Sequence, residues 1–104
     1  MSHKSDLSTQ EMRRDAGEIR DENQQFKTLS DEMFNEGREL DKLWEGDASD
    51  QFANRLKADE PRFNELFQIV NQYCGAVEES AAEYDKTEAA VAEEMRSNTK
   101  RQSR

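Results

Sequence analysis

The residues able to do chemistry are few and far apart. Cys74 is the single cysteine and His3 the single histidine. A cysteine nucleophile needs a group beside it that favours the thiolate. His3 sits on a polar N-terminal arm, so Cys74 reads as a plain small side chain. One cysteine excludes an intrachain disulfide and a multi-cysteine zinc site, and one histidine with it makes no His/Cys cage. The acid pairs Glu78-Glu79 and Glu93-Glu94 stand among lysines and arginines and read as solvated faces, not as a carboxylate metal site. No glycine-rich phosphate loop and no convergent Ser/His/Asp set is present. The chain therefore reads as a non-enzyme with no cofactor, no metal and no small-molecule substrate.

The elements that would position any recognition residue are helices. Of 104 residues, 38% are charged and 33% hydrophobic, with four glycines and one proline. That composition argues against strands and turns and suits long polar helices. Fifteen bases against 24 acids give a net charge of −9, which argues against nucleic acid as a partner. No apolar run is long enough to span a membrane. The stretch Met1 to Gln10 is polar and lacks the apolar core of a secretory leader, so the expectation is a protein that is cytoplasmic or leaves the cell by another route.

Ser8 and Glu11 have the spacing of a capping box, with Leu7 and Met12 placed as a hydrophobic staple. From there a 4,3 spacing runs through Met12, Ala16, Ile19, Asn23, Phe26, Ser30, Met33, Gly37, Leu40 and Trp44. Large residues alternate with small or polar ones along one stripe. Leu29, Phe34 and Leu43 flank it. Gly37 permits a close helix approach. Asn23 and Ser30 either fix register as buried polar groups or lie at a dimer edge. The helix is expected over about 9–44, with Gly46 in a left-handed conformation at its end and Asp47 capping the next helix. Trp44 either closes the end of a bundle as a core aromatic or presents an exposed indole face.

A second stripe runs through Phe52, Leu56, Asp59, Phe63, Leu66, Val70, Tyr73, Val77, Ser80, Tyr84, Thr87 and Val91, flanked by Phe67 and Ile69. Cys74 falls one residue off it. This helix is expected over about 48–95, with a kink or one-turn break near 59–61 because Pro61 lacks a donor and disfavours helix at Glu60. Residues 96–104 carry four bases and no acid and read as a basic flexible tail. That leaves 11 bases against 24 acids elsewhere, a net of −13. Two such helices joined by a tight turn make an antiparallel all-α helix-turn-helix hairpin.

A hairpin only half-covers the side chains along its seam. Complete burial of a large apolar side chain contributes about 1.5–3 kcal/mol, whereas ordering each residue costs about 1.5 kcal/mol. The wide apolar faces suit two hairpins pairing into a four-helix bundle. The dimer and hairpin seam is assigned to Met12, Ile19, Phe26, Met33, Leu40, Phe52, Leu56, Phe63, Leu66, Val70, Tyr73 and Val77.

The Trp44-Glu45-Gly46 turn, midway along a chain of about a hundred residues and between two amphipathic helices, resembles the WXG family, the ESAT-like small proteins exported by type VII (ESX) secretion systems. Tyr84, Glu88, Val91 and Met95 resemble that family's C-terminal export motif, a hydrophobe followed at fixed spacing by an acid and two further hydrophobes. The resemblance covers roughly residues 9–95. It implies a secreted, virulence-associated hairpin without a cleavable signal peptide. Its partner would be itself, as a homodimer, or a related WXG protein, and a membrane-embedded secretion ATPase would recognise it. It also implies that Trp44 and Gly46 form the turn element and Tyr84, Glu88, Val91 and Met95 the tail element. The bland alternatives stand beside this: Tyr84 packs on the seam, Glu88 is a solvated neighbour, and the protein is a cytoplasmic helical adaptor or coiled-coil scaffold. Asp47 to Tyr84 is 37 residues, about 55 Å of helix, so Trp44 and Tyr84 cannot meet within one hairpin. Only a dimer could combine them into one signal, which would make export conditional on assembly.

Overall fold

The computed structural model describes residues 8–102. They form two helices, α1 (Thr9–Lys42) and α2 (Asp47–Gln102), packed antiparallel. The capping box is in place: the Ser8 hydroxyl accepts from the Glu11 N–H at 3.0 Å, and the Glu11 carboxylate accepts from the Ser8 N–H. The Leu7 staple and His3 lie outside the described residues.

Three boundaries differ from the sequence expectation, each for a local reason. First, α1 stops at Lys42, two residues short of Trp44. Its last turn tightens, with the Leu43 N–H donating to the Leu40 carbonyl at 3.0 Å and the Trp44 N–H to the Asp41 carbonyl at 3.2 Å. Gly46 then starts α2 rather than ending α1. Its φ is +110°, and its carbonyl accepts from the Asp50 N–H at 3.1 Å. Asp47 is accordingly the first helical residue rather than the cap. Together with Asp50 it puts negative charge on the positive end of the helix dipole.

Second, α2 runs unbroken through Pro61. One missing donor is a local loss, and cross-helix contacts hold both sides of it. Arg38 donates to Glu60 at 2.7 Å, and Phe63 meets the rings of Phe26 (5.8 Å, stacked) and Phe34 (5.1 Å, edge-on). Third, helix continues through the basic segment to Gln102. Each added residue there gains a backbone bond without a new nucleus, and Lys100 and Arg101 suit the negative end of the dipole.

The helix–helix seam follows the small residues. Ala16, Asn23 and Ser30, seven residues apart, are all buried, and Gly37 continues their column. A Cβ on Gly37 would come 3.1 Å from the Leu56 side chain, so the helices approach closely at this glycine. On α2 the inward column is Ala53, Glu60, Phe67, Cys74 and Ala81, working with Leu56, Phe63 and Val70. This is one residue round from the stripe read off the sequence: Cys74 is in the seam, 2% exposed, while Tyr73 is 70% exposed. Polar ties select that face. The Asn23 amide donates to the Phe67 carbonyl (2.9 Å) and to Asn71 Oδ1 (3.1 Å). The Arg20 guanidinium grips Glu78 with two bonds, the shorter 2.7 Å.

The Arg20 bond holds the Glu78 carboxyl below the usual carboxylate range, and bonds from Arg13 and Thr9 do the same for Asp85. A carboxyl whose folded pKa is depressed contributes stability above its unfolded pKa and loses it as pH falls. Urea unfolding of the wild type and Glu78→Gln at fixed protein concentration should therefore show the wild type more stable near neutrality. That difference should shrink between about pH 5 and pH 3. A difference constant with pH would mean that the pair does not hold the seam.

Candidate functional site

No helix among the described residues is long and apolar enough to cross a membrane, and no group of His, Cys, Asp or Glu among them is placed to hold a metal ion. What α1 and α2 do present is surface: a turn cluster at one end, an overhanging helix at the other, and an apolar face between them.

At the turn, the Trp44 indole packs against Phe52 with ring centroids 5.8 Å apart and the planes tilted by 48°. Trp44 remains 41% exposed. The side chain thus closes the end of the hairpin with one face and leaves the rest in solvent, combining the two roles that the sequence leaves open. The backbone beneath it is pinned. The buried Ser49 hydroxyl lies 2.6 Å from Asp41 Oδ1 and 2.8 Å from the Trp44 carbonyl, with one proton to give between them. Ser49 and Asp41 are the turn residues that stripe-reading misses, because a single polar contact across a turn leaves no periodic signal.

At the other end, Thr9 donates to Asp85 at 2.7 Å, and Arg13 also bonds that carboxylate. Since α1 begins at Thr9, α2 runs on past the start of α1 from about Lys86 to Gln102, about 25 Å of helix with no other described element beside it. Tyr84, just before this stretch, and Glu88, Val91 and Met95 on it fall along one strip of α2 and line a shallow trough with Ser80 and Glu83. Val91 is 50% and Met95 64% exposed. Trp44 and Tyr84 stand at opposite ends, as the helix length requires.

Between the ends, the large residues of the first stripe are turned aside from α2. Ile19, Met33 and Leu40 are about half exposed, as are Leu66 and Tyr84 on α2. Met12, Phe26, Phe52, Leu56, Phe63 and Val70 are half-buried. Met12, Ile19, Val70, Tyr73 and Val77 line an open apolar groove with Cys74 among its walls. Leu29 and Leu43 extend the exposed apolar area beyond the assigned seam.

An antiparallel helical hairpin with a Trp-X-Gly turn at its bend is the class of protein that these features define. The family model for proteins of 100 residues with WXG, WXG100, matches residues 6–99. The chain belongs to the WXG100 family. Its members are in general small, non-enzymatic helical proteins secreted by type VII systems without a signal peptide, and they generally form dimers with WXG partners. No curated protein and no solved structure matches the chain.

Gly46 has nothing within 4 Å of where a Cβ would stand, so any cost of substitution there is conformational. Gly46→Ala should destabilise the hairpin by about 1–2 kcal/mol through its positive φ, read as a lower urea midpoint at fixed protein concentration. An unchanged midpoint would mean that the turn relaxes to another conformation without loss.

Proposed function

We propose that this protein is a non-enzymatic substrate of a type VII (ESX) secretion system, with a carrier or chaperone role for larger partners, exported as a four-helix bundle of two hairpins. It waits in the cytoplasm before export and leaves without a cleavable signal peptide. Trp44 and Gly46 form the turn element of its signal. Tyr84 and Glu88, extended by Val91 and Met95, form the element on the overhang, which a membrane-embedded secretion ATPase reads.

One observation carries this reading: two exposed elements sit at opposite ends of a hairpin whose long side is apolar and uncovered. Antiparallel pairing covers that side and brings the turn of one hairpin to the overhang of the other. Recognition of the assembled pair then makes export conditional on assembly. Glu88 is a fully exposed polar residue, so its effect on export is separable from an effect on folding.

The test is the fraction of the protein in the culture supernatant of its native host, against a cytoplasmic lysis marker, with and without the secretion ATPase. The wild type should appear outside only when the ATPase is present. Glu88→Gln should lower export about tenfold or more while leaving helicity and thermal stability unchanged, and Tyr84→Ala should lower export as much in a chain that stays helical. A protein that stays with the lysis marker in both strains would contradict export and favour the cytoplasmic adaptor.

A further inference from the structure

Both helices carry a poor helix former at the same height. Arg38 of α1 donates to Glu60 of α2 at 2.7 Å, which brings these two residues level across the seam. Arg38 follows Gly37 in the chain, and Glu60 precedes Pro61. Glycine and proline are the weakest residues in a helix interior. Pro61 has no N–H for the Lys57 carbonyl, so the α2 ladder lacks one rung there. Gly37 is needed for packing, since a Cβ in its place would press on Leu56. The seam is also incompletely filled at this level: Arg38, Lys42, Leu56, Lys57 and Glu60 line an open notch between the helices.

The contacts that hold the hairpin divide at the same height. On the turn side, Trp44 packs on Phe52, Ser49 reaches Asp41, and Arg38 bonds Glu60. On the other side, Phe63 meets Phe26 and Phe34, Asn23 reaches Phe67 and Asn71, and Arg20 grips Glu78. Each of these contacts joins residues of one side only. Across the boundary, Arg38 donates to Asn35 at 2.5 Å and Arg62 pairs with Asp59 at 3.5 Å. Both are contacts within a single helix, and the second is an exposed ion pair of the weakly held kind.

We propose that residues 38–60 form a separately opening unit, hinged at Gly37 and Pro61 and clasped by the Arg38–Glu60 bond, which comes apart while the rest of the hairpin keeps its seam. Folded chains open in contiguous cooperative pieces, and a piece ends where few contacts cross its border. Gly37 and Pro61 mark such a border on both helices at once. Opening the unit parts Trp44 from Phe52 and so frees the indole face that the closed turn covers. The unit itself stands on the fold alone. That its opening bares a recognition element rests on the export reading of Trp44, and the experiment tests the unit without that reading.

The experiment is native-state amide hydrogen exchange of the full chain, followed by NMR near neutral pH in low urea at fixed protein concentration, for the wild type, Glu60→Gln and Glu78→Gln. In the wild type, amides of residues 39–42 and 51–60 should share one level of protection, about tenfold or more below that of residues 65–81, with a step at Pro61. Their exchange should also depend less on urea, because opening the unit exposes less surface than unfolding the chain. The two variants should act unequally. Glu78 lies outside the unit, so Glu78→Gln should speed exchange at 65–81 about two- to fivefold and leave 39–42 and 51–60 unchanged. Glu60 lies inside the unit, which is open in both events, so Glu60→Gln should speed exchange in both sets by the same factor. Protection that falls smoothly from Phe63 to the turn would be ordinary fraying and would overturn the unit. A Glu78→Gln effect equal at all sites, the mark of one cooperative structure, would overturn it too. Either result leaves the export reading untouched, and a chain that is not exported would leave the unit standing.

Discussion

The column of small residues on α1 governs the rest of the molecule. Ala16, Asn23, Ser30 and Gly37 repeat every seven residues against α2. A side chain larger than hydrogen at Gly37 would already press on Leu56. Small residues let the helices close in, but they bury little area themselves, and burial scales with area. The large residues that alternate with them are displaced sideways, and that is why Ile19, Met33 and Leu40 end half exposed. The hairpin is thus built close along one line and left open along the next. Its tight seam and its uncovered face are two results of one spacing.

Polar groups do in this seam what a packed core does elsewhere. Asn23 reaches a carbonyl of α2, Arg20 grips Glu78, and Thr9 and Arg13 converge on Asp85. Of these only Asn23 is buried, and a buried group needs its partner, since an unpaired one costs about 1–3 kcal/mol. No buried side-chain nitrogen or oxygen among the described residues lacks one. These ties fix how far α1 reaches along α2, and so they fix how much of α2 stands free. The overhang that carries Glu88, Val91 and Met95, with Tyr84 at its root, follows from where Asp85 meets Thr9.

The sequence makes the two helices, their antiparallel arrangement, the Ser8 cap and the close approach at Gly37 legible, because each depends on residues near one another in the chain. Which face of α2 turns inward is less legible. The columns through Leu66 and Tyr73 and through Phe67 and Cys74 are both apolar enough to serve. The choice rests on Asn23 with Asn71 and Arg20 with Glu78, contacts across 48 and 58 residues. The end of α1 is hidden for a similar reason: the turn is pinned by Ser49 reaching back to Asp41. The helical continuation past Met95 needs no apolar pattern, only propagation and a favourable dipole end. The recognition residues are legible from the Trp-Glu-Gly turn and the Tyr84 spacing, through their resemblance to the family. Periodicity alone would have placed Trp44 and Tyr84 on seams like any other aromatic residue.

If the hairpin is half of a core, its stability cannot be separated from the concentration of what covers it. The most direct measurement is the thermal unfolding midpoint of the purified full-length chain as a function of protein concentration. The account predicts a single cooperative transition whose Tm rises steadily with concentration, as folding and association occur together. A Tm that does not change with concentration, in a chain that remains monomeric, would contradict it: the hairpin would then be stable with its apolar face in water.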